Sequence, residues 1–224
     1  MSLTREQMFR HLHAIHNGET GWEESAKLLL AEGEEVVPFL IEIIGIEQEK
    51  AKGAVVLGYN KLLRVAELLA EFRHPRSLGT FLALAPRIAH PTVSIRVYSL
   101  FRQVLGAVGR RAESEDIRAL LELMQRVRPR WTGTALLVEF LPRETVLIAT
   151  TLVSIAEREP TPALRVALPL LKPHPLLPWE LVVLHKRLKA ALATQELPVP
   201  ATAPQTTEDL PIPASHQEGR AHDG

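Results

Sequence analysis

The sequence predicts an all-α fold, a right-handed α-solenoid of about four helix pairs with a capping helix at each end. Four segments carry apolar residues at positions i, i+3, i+4 and i+7, they recur at intervals of 41, 39 and 47 residues, and only 5% of the chain is aromatic. A helical period inside a repeat of this length is typical of stacked helix pairs. The four stripes are Val37/Leu40/Ile41/Ile44, Leu78/Phe81/Leu82/Ala85, Ile117/Leu120/Leu121/Met124 and Leu164/Ala167/Leu168/Leu171.

The chain begins with a predicted N-terminal capping helix from Thr4 to Ile15. Its first residues, Thr4-Arg5-Glu6-Gln7, fit the capping box, in which the two end side chains satisfy free backbone N–H groups. In the first unit Pro38 falls in the first helical turn, where its missing N–H costs little.

A second helical segment precedes each stripe, so the repeating unit is a helix pair. Two of these segments are apolar at the same spacing, Leu62/Val65/Ala66/Leu69 before the second unit and Val97/Leu100/Phe101/Val104 before the third. His74-Pro75 begins one second helix, and Ser114-Glu115-Asp116 places acidic residues at the positive end of another.

The fourth unit is less regular. Residues 131–142 lengthen its interval and predict a short extra helix or a broken first helix. Thr161-Pro162 supplies an N-cap and an N1 proline, whereas Pro169 inside the stripe predicts that the helix kinks or ends early. A C-terminal capping helix follows from Trp179 to about Ala193, with leucines inward and Lys186, Arg187 and Lys189 outward.

Composition divides the chain into a helical domain, residues 1–193, and a tail, residues 194–224. The tail contains five prolines, few bulky apolar residues and a net charge of minus four. Such a segment cannot bury enough apolar surface to fold, so we expect it to be disordered.

Several classes of site find no support in the sequence. The chain has no cysteine, and Tyr59-Asn60 follows Gly53-AVVL-Gly58 where a phosphate-binding loop needs Lys-Ser or Lys-Thr. His11, His13 and His16 could align only two metal ligands on one helix face, so we expect no metal there. No catalytic motif appears, and we expect neither an enzyme nor a cofactor. Without a signal-peptide core or a membrane span, a cytoplasmic protein with no membrane partner is predicted.

The middle of the chain is strongly positive although the net charge is zero. Residues 73–130 contain eleven arginines and four acidic residues. Arginine binds phosphate or carboxylate through two parallel hydrogen bonds, and a neighbouring indole can stack on a base or a guanidinium. The competing interpretation is a merely solvated helix face, with Trp131 in the core. The candidate partner-binding residues are Arg73, Arg76, Arg110, Arg111, Arg126, Arg128, Arg130 and Trp131.

Residues 62–85, LLRVAELLAEFRHPRSLGTFLALA, form a helix, a His-Pro-Arg turn and a second helix. This segment resembles the HEAT and HEAT-like repeat families, and with looser matches the resemblance covers roughly residues 22–172. The resemblance implies a curved α-solenoid with a binding or scaffolding role. It transfers no catalytic residue to this chain.

Two functions compete at this point. The first is a non-enzymatic scaffold or adaptor whose second helices hold a protein or peptide, which an acidic partner or the chain's own tail would suit. The alternative is nucleic-acid binding in an arginine-rich groove, by analogy with HEAT-like DNA glycosylases, although the helical body carries an excess of only about four positive charges. HEAT-like repeats also occur in bilin lyases, but no residue argues for a tetrapyrrole. The oligomeric state is left open.

Overall fold

The computed structural model of the chain describes residues 3–50, 59–88, 91–127, 141–172 and 179–193. Over these residues all regular structure is helical, which confirms the all-α prediction. The helices are α1 Arg5–Asn17, α2 Trp22–Ala31, α3 Val37–Lys50, α4 Tyr59–Glu71, α5 Ser77–Leu84, α6 Pro91–Arg111, α7 Ser114–Val127, α8 Leu141–Arg158, α9 Ala167–Leu170 and α10 Trp179–Ala193. Short 3₁₀ segments cover Gly33–Val36, Ala85–Arg87 and Pro162–Val166. The tail 194–224 and the segment 131–140 lie outside the described residues.

The N-terminal capping helix begins as the sequence predicts. The Thr4 backbone N–H donates to Gln7 Oε1 at 2.8 Å, and the Gln7 N–H donates to Thr4 Oγ1 at 3.3 Å. The helix ends at Gly18, whose φ of 66° lets its N–H reach back to the carbonyls of the last turn. Local sequence therefore sets both ends of α1.

The predicted apolar stripes form one continuous core that runs from α1 to α10. Every stripe residue is buried except Ile41 and Leu168, which are half-buried. Phe81 and Phe101 are fully enclosed, and truncating either one to alanine would cost about 3–5 kcal/mol of stability. The hydrophobic period that predicts the helices thus also identifies the residues that join them.

The helices contact one another in two sets. One set, which we call the first-helix row, consists of α1, α4, α6, α8 and α10, and each of these helices packs against the next. The other set contains α3, α5 and α7, and each of these packs against the helix that follows it in the chain. Consecutive helix pairs are therefore neighbours in space.

Three left-handed residues stand at the same place in consecutive pairs. Gly33 with φ 79°, Arg73 with φ 50° and Ala112 with φ 55° each lie in the turn between the two helices of a pair. Their spacing of 40 and 39 residues repeats the interval of the stripes. Because side chains other than glycine disfavour this conformation, packing of the flanking helices must hold Arg73 and Ala112 in it.

The fourth unit departs from the other three. The helix α9 has only four residues and ends at Leu170, which confirms the early ending predicted from Pro169. Thr161 occupies the N-cap position before Pro162, but its hydroxyl makes no capping hydrogen bond, so the predicted side-chain cap is wrong. The Leu164 N–H donates to the Thr161 carbonyl instead, because the segment is a 3₁₀ helix, and Thr161 Oγ1 is left without a partner.

Candidate functional site

The structure describes five of the eight predicted partner-binding residues and separates them into two groups. Arg73 and Arg76 lie in the turn between α4 and α5, while Arg110 and Arg111 are the last residues of α6. Arg126 lies near the C-terminus of α7, at the opposite end of that helix from the α6–α7 turn. Arg128, Arg130 and Trp131 lie outside the described residues.

Arg111 is held in a bidentate ion pair. Its Nη2 and Nε donate to the two carboxylate oxygens of Asp116 at 2.6 and 2.9 Å, and Asp116 is only 1% exposed. The backbone N–H of Glu113 donates to the same carboxylate at 3.0 Å. The hydrogen bonds that Arg111 donates to Asp116 raise the pKa of Arg111 above its usual value. This guanidinium stabilises the α6–α7 turn and has little capacity left for a ligand.

Arg76 joins two consecutive turns. Its Nη2 lies 3.3 Å from Glu115 Oε1, and its backbone N–H donates to Nδ1 of His74 at 3.2 Å. His74 is buried, which lowers its pKa, and its Nε2 lies 4.0 Å from Glu34 Oε2. Polar and charged side chains therefore bring the α2–α3, α4–α5 and α6–α7 turns together. We call residues 33–36, 73–76 and 110–116 the turn edge.

Other arginines bridge neighbouring members of the first-helix row. The pairs are Arg96 Nε to Glu67 at 3.0 Å, Arg102 Nη2 to Glu144 at 3.4 Å and Arg187 Nη2 to Glu157 at 2.8 Å. Arg158 of α8 also donates to the backbone carbonyls of Gly109 and Arg110 at the end of α6. Much of the positive charge that the sequence displays is thus neutralised between helices.

Sequence reasoning did not identify these pairs, because the two members stand 29 to 49 residues apart. In two of the ion pairs the sequence separation is close to the repeat length: Arg76 and Glu115 are 39 residues apart, and Arg102 and Glu144 are 42 residues apart. The only feature of the sequence that could have indicated these ion pairs was an acidic residue one repeat length away from an arginine.

Several exposed arginines stay out of the ion pairs among the described residues, including Arg73 and Arg110, and two of them lie on α7. Arg118 and Arg126 of α7 are exposed and form no ion pair with any described residue. Arg126 extends over α5, where its Nη1 lies 3.5 Å from the position that a Cβ on Gly79 would occupy. Leu123 Cδ1 lies 3.8 Å from the same point. We call the surface formed by Gly79 and Arg126, together with the exposed Arg118 two turns earlier on α7, the α5–α7 face.

Glu144 is the least satisfied acidic side chain that the structure describes. It is 2% exposed in the first turn of α8, and one carboxylate oxygen accepts from Arg102 while Oε2 has no hydrogen-bond partner. Burial raises the pKa of Glu144, against the opposing effect of Arg102. Burial raises the pKa of Tyr98, and the negative charge of Glu144 raises it further.

The N-terminal histidines make separate contacts. His11 Nδ1 lies 3.1 Å from Ser25 Oγ, and His13 Nδ1 lies 3.2 Å from Glu19 Oε1. Across the described ranges, no three His, Asp or Glu side chains converge as metal ligands. In the same part of the chain no helix is both long and apolar enough to cross a bilayer.

Comparison of the chain with family models, with curated protein sequences and with solved structures returned no match.

Proposed function

We propose that this chain is a non-enzymatic interaction scaffold that binds an acidic protein segment on its α5–α7 face. The observation that carries the proposal is a contrast among its arginines. Arg76, Arg96, Arg102 and Arg111 pair with acidic side chains of the chain itself, whereas the exposed Arg73, Arg110, Arg118 and Arg126 do not pair with any described residue. Of these four, Arg118 and Arg126 lie together on one helix, α7. A cation without an internal partner can pair with an external carboxylate.

The proposal includes a right-handed α-solenoid of HEAT-like helix pairs. Its support is the packing of each helix pair against the next, together with the left-handed residues that recur at Gly33, Arg73 and Ala112. In such a stack the second helices line one continuous surface, and α5 and α7 are second helices. The cytoplasmic location expected from the sequence stays a prediction.

The α5–α7 face suits an extended partner. Gly79 has no side chain, so a partner backbone can approach α5 closely once the Arg126 guanidinium, which lies over this position, turns aside to donate to it. Arg118 stands two helical turns before Arg126, with Glu122 between them. Because positive and negative side chains alternate along this face, a partner with separated acidic residues should bind better than one with a continuous run of them.

A charge-reversal experiment tests the proposal. The chain is used to capture partners from native lysate at low and moderate salt after nuclease treatment, in parallel with Arg118→Glu/Arg126→Glu and with a control, Lys186→Glu/Lys189→Glu. The control makes the same charge change at exposed α10 lysines that form no ion pair with any described residue. We expect a protein that the wild type and the control retain and the α7 variant loses. Equal recovery by all three would refute the proposal.

Gly79→Ala gives a second, independent test. A Cβ at this position would make only ordinary contacts, and alanine in a helix is more stable than glycine by about 1 kcal/mol. We expect the variant to be at least as stable as the wild type and to bind the partner more weakly, because the added methyl occupies the approach path. Unchanged partner affinity would remove Gly79 from the binding surface.

Nucleic-acid binding is the alternative function, and the unpaired Arg118 and Arg126 are also what favours it. Four paired arginines elsewhere in the same region count against a duplex-binding groove. Salt-sensitive binding of labelled DNA or RNA that Arg118→Glu/Arg126→Glu abolishes would favour this alternative over the scaffold.

A further inference from the structure

An apolar groove lies between α1 and α3, away from the α5–α7 face. Phe9 and Leu12 of α1 and Ile43 and Ile46 of α3 line it, and its volume is about 470 Å³. Phe9 and Ile46 are 41% and 40% exposed, although the edge of Phe9 packs against the Phe39 ring. A groove of this size and lining is typical of ligand or peptide sites.

Basic side chains stand beside the groove on the α1 wall. They are Arg10, His13 and His16. Arg10 lies 3.5 Å from Glu6, but both side chains are more than three-quarters exposed, so this ion pair contributes little and exchanges readily with another carboxylate. The groove therefore suits an occupant with apolar residues next to acidic ones.

The C-terminal segment contains such a sequence twice. Residues 196–201 read Glu-Leu-Pro-Val-Pro-Ala, and residues 209–214 read Asp-Leu-Pro-Ile-Pro-Ala. Each copy consists of an acid, a leucine, a β-branched residue between two prolines, and an alanine. Glu208 adds a second acid to the second copy. The prolines restrict the backbone, which lowers the entropy lost when such a peptide binds.

We propose that residues 208–214 dock in the α1–α3 groove of their own chain. Leu210 and Ile212 occupy the apolar floor, and Glu208 and Asp209 face the basic side chains of the α1 wall. Docking would cover the exposed parts of Phe9 and Ile46. This inference does not rest on the proposed function, because the α5–α7 face and the groove share no residue.

The length of the segment selects the second copy over the first. The row from α10 to α1 contains four interhelical steps of 8–10 Å, or roughly 32–40 Å. Leu210 lies 17 residues beyond Ala193, a reach of about 50 Å in an extended proline-rich conformation. Leu197 lies only four residues beyond it, a reach of about 12 Å. The first copy is therefore a matched internal control.

Paramagnetic broadening in the full chain tests the docking. The chain has no cysteine, so Ser215→Cys attaches a single spin label next to the second copy. We expect the amide signals of Phe9 and Ile46 to lose intensity. Leu210→Glu/Ile212→Glu should restore them, and the matched Leu197→Glu/Val199→Glu should leave the broadening unchanged. Ile46→Gln, at an exposed position, should displace the label from α1 without unfolding the chain.

Three results would overturn the proposal. One is full intensity in α1 and α3 when the label is present. Another is equal loss of broadening in the variants of both copies, which would indicate a general charge effect. The third is broadening in isotope-labelled chain that carries no spin label when it is mixed with spin-labelled chain, which would place the segment in the groove of a second copy.

Discussion

The buried carboxylate of Asp116 stabilises the α6–α7 turn through its ion pair with Arg111. Asp116→Asn keeps the shape of the side chain but removes the charge that holds Arg111 and accepts the Glu113 N–H. Breaking a buried ion pair costs about 3–5 kcal/mol, and the lower end applies because the Arg111 side chain is 34% exposed and can regain water. We therefore expect a loss of about 3 kcal/mol, which lowers the melting temperature by about 6–12 °C.

Urea unfolding followed by circular dichroism measures this loss, with Glu115→Gln as the control. Glu115 is the preceding residue and undergoes the same carboxylate-to-amide change, but its pair with Arg76 is 64% and 60% exposed. Exposed pairs contribute about 0–1 kcal/mol, so the control should stay near the wild type. Equal midpoints for the two variants would refute the argument that burial makes the Asp116 pair important.

Three further predictions concern pH and glycine. Burial lowers the pKa of His74, so the unfolded chain binds the imidazole proton more tightly than the folded chain does. The free energy of unfolding should therefore fall as pH drops below about 6.5. His74→Gln should remove this dependence in urea midpoints measured from pH 7.5 to 5.5. Burial raises the pKa of Glu144, so stability should fall as pH rises above 4.5 through the folded value, and Glu144→Gln should flatten that slope in urea midpoints when the same titration is extended down to about pH 4. Gly33→Ala should lower the free energy of unfolding by about 1 kcal/mol and Gly45→Ala should raise it by about the same amount, so the melting temperature should shift in opposite directions. No atom lies within 4 Å of either new methyl, but only Gly33 has a left-handed φ, of 79°. A melting-temperature shift of the same sign in both glycine variants would contradict the backbone argument.

The sequence by itself determined which residues form helices and which of their faces are buried. The stripes from Val37 to Leu171, the capping box at Thr4 and the early ending at Pro169 were all predicted, since each depends on residues no more than a few positions apart. The local hydrogen bond at Thr161 was the exception, because the sequence does not distinguish a 3₁₀ turn from an α-helical start.

Tertiary structure alone decided which charges are free. Arg76 and Arg126 look alike in the sequence, yet one lies 3.3 Å from Glu115, 39 residues further along the chain, and the other lies over Gly79 without an acidic partner among the described residues. The difference arises from the packing of one helix pair on the next, which brings together side chains a full repeat apart. The hydrophobic period determines where the helices form and which faces they bury. Whether an arginine is paired or free depends on which side chains the packing places within about 4 Å of it.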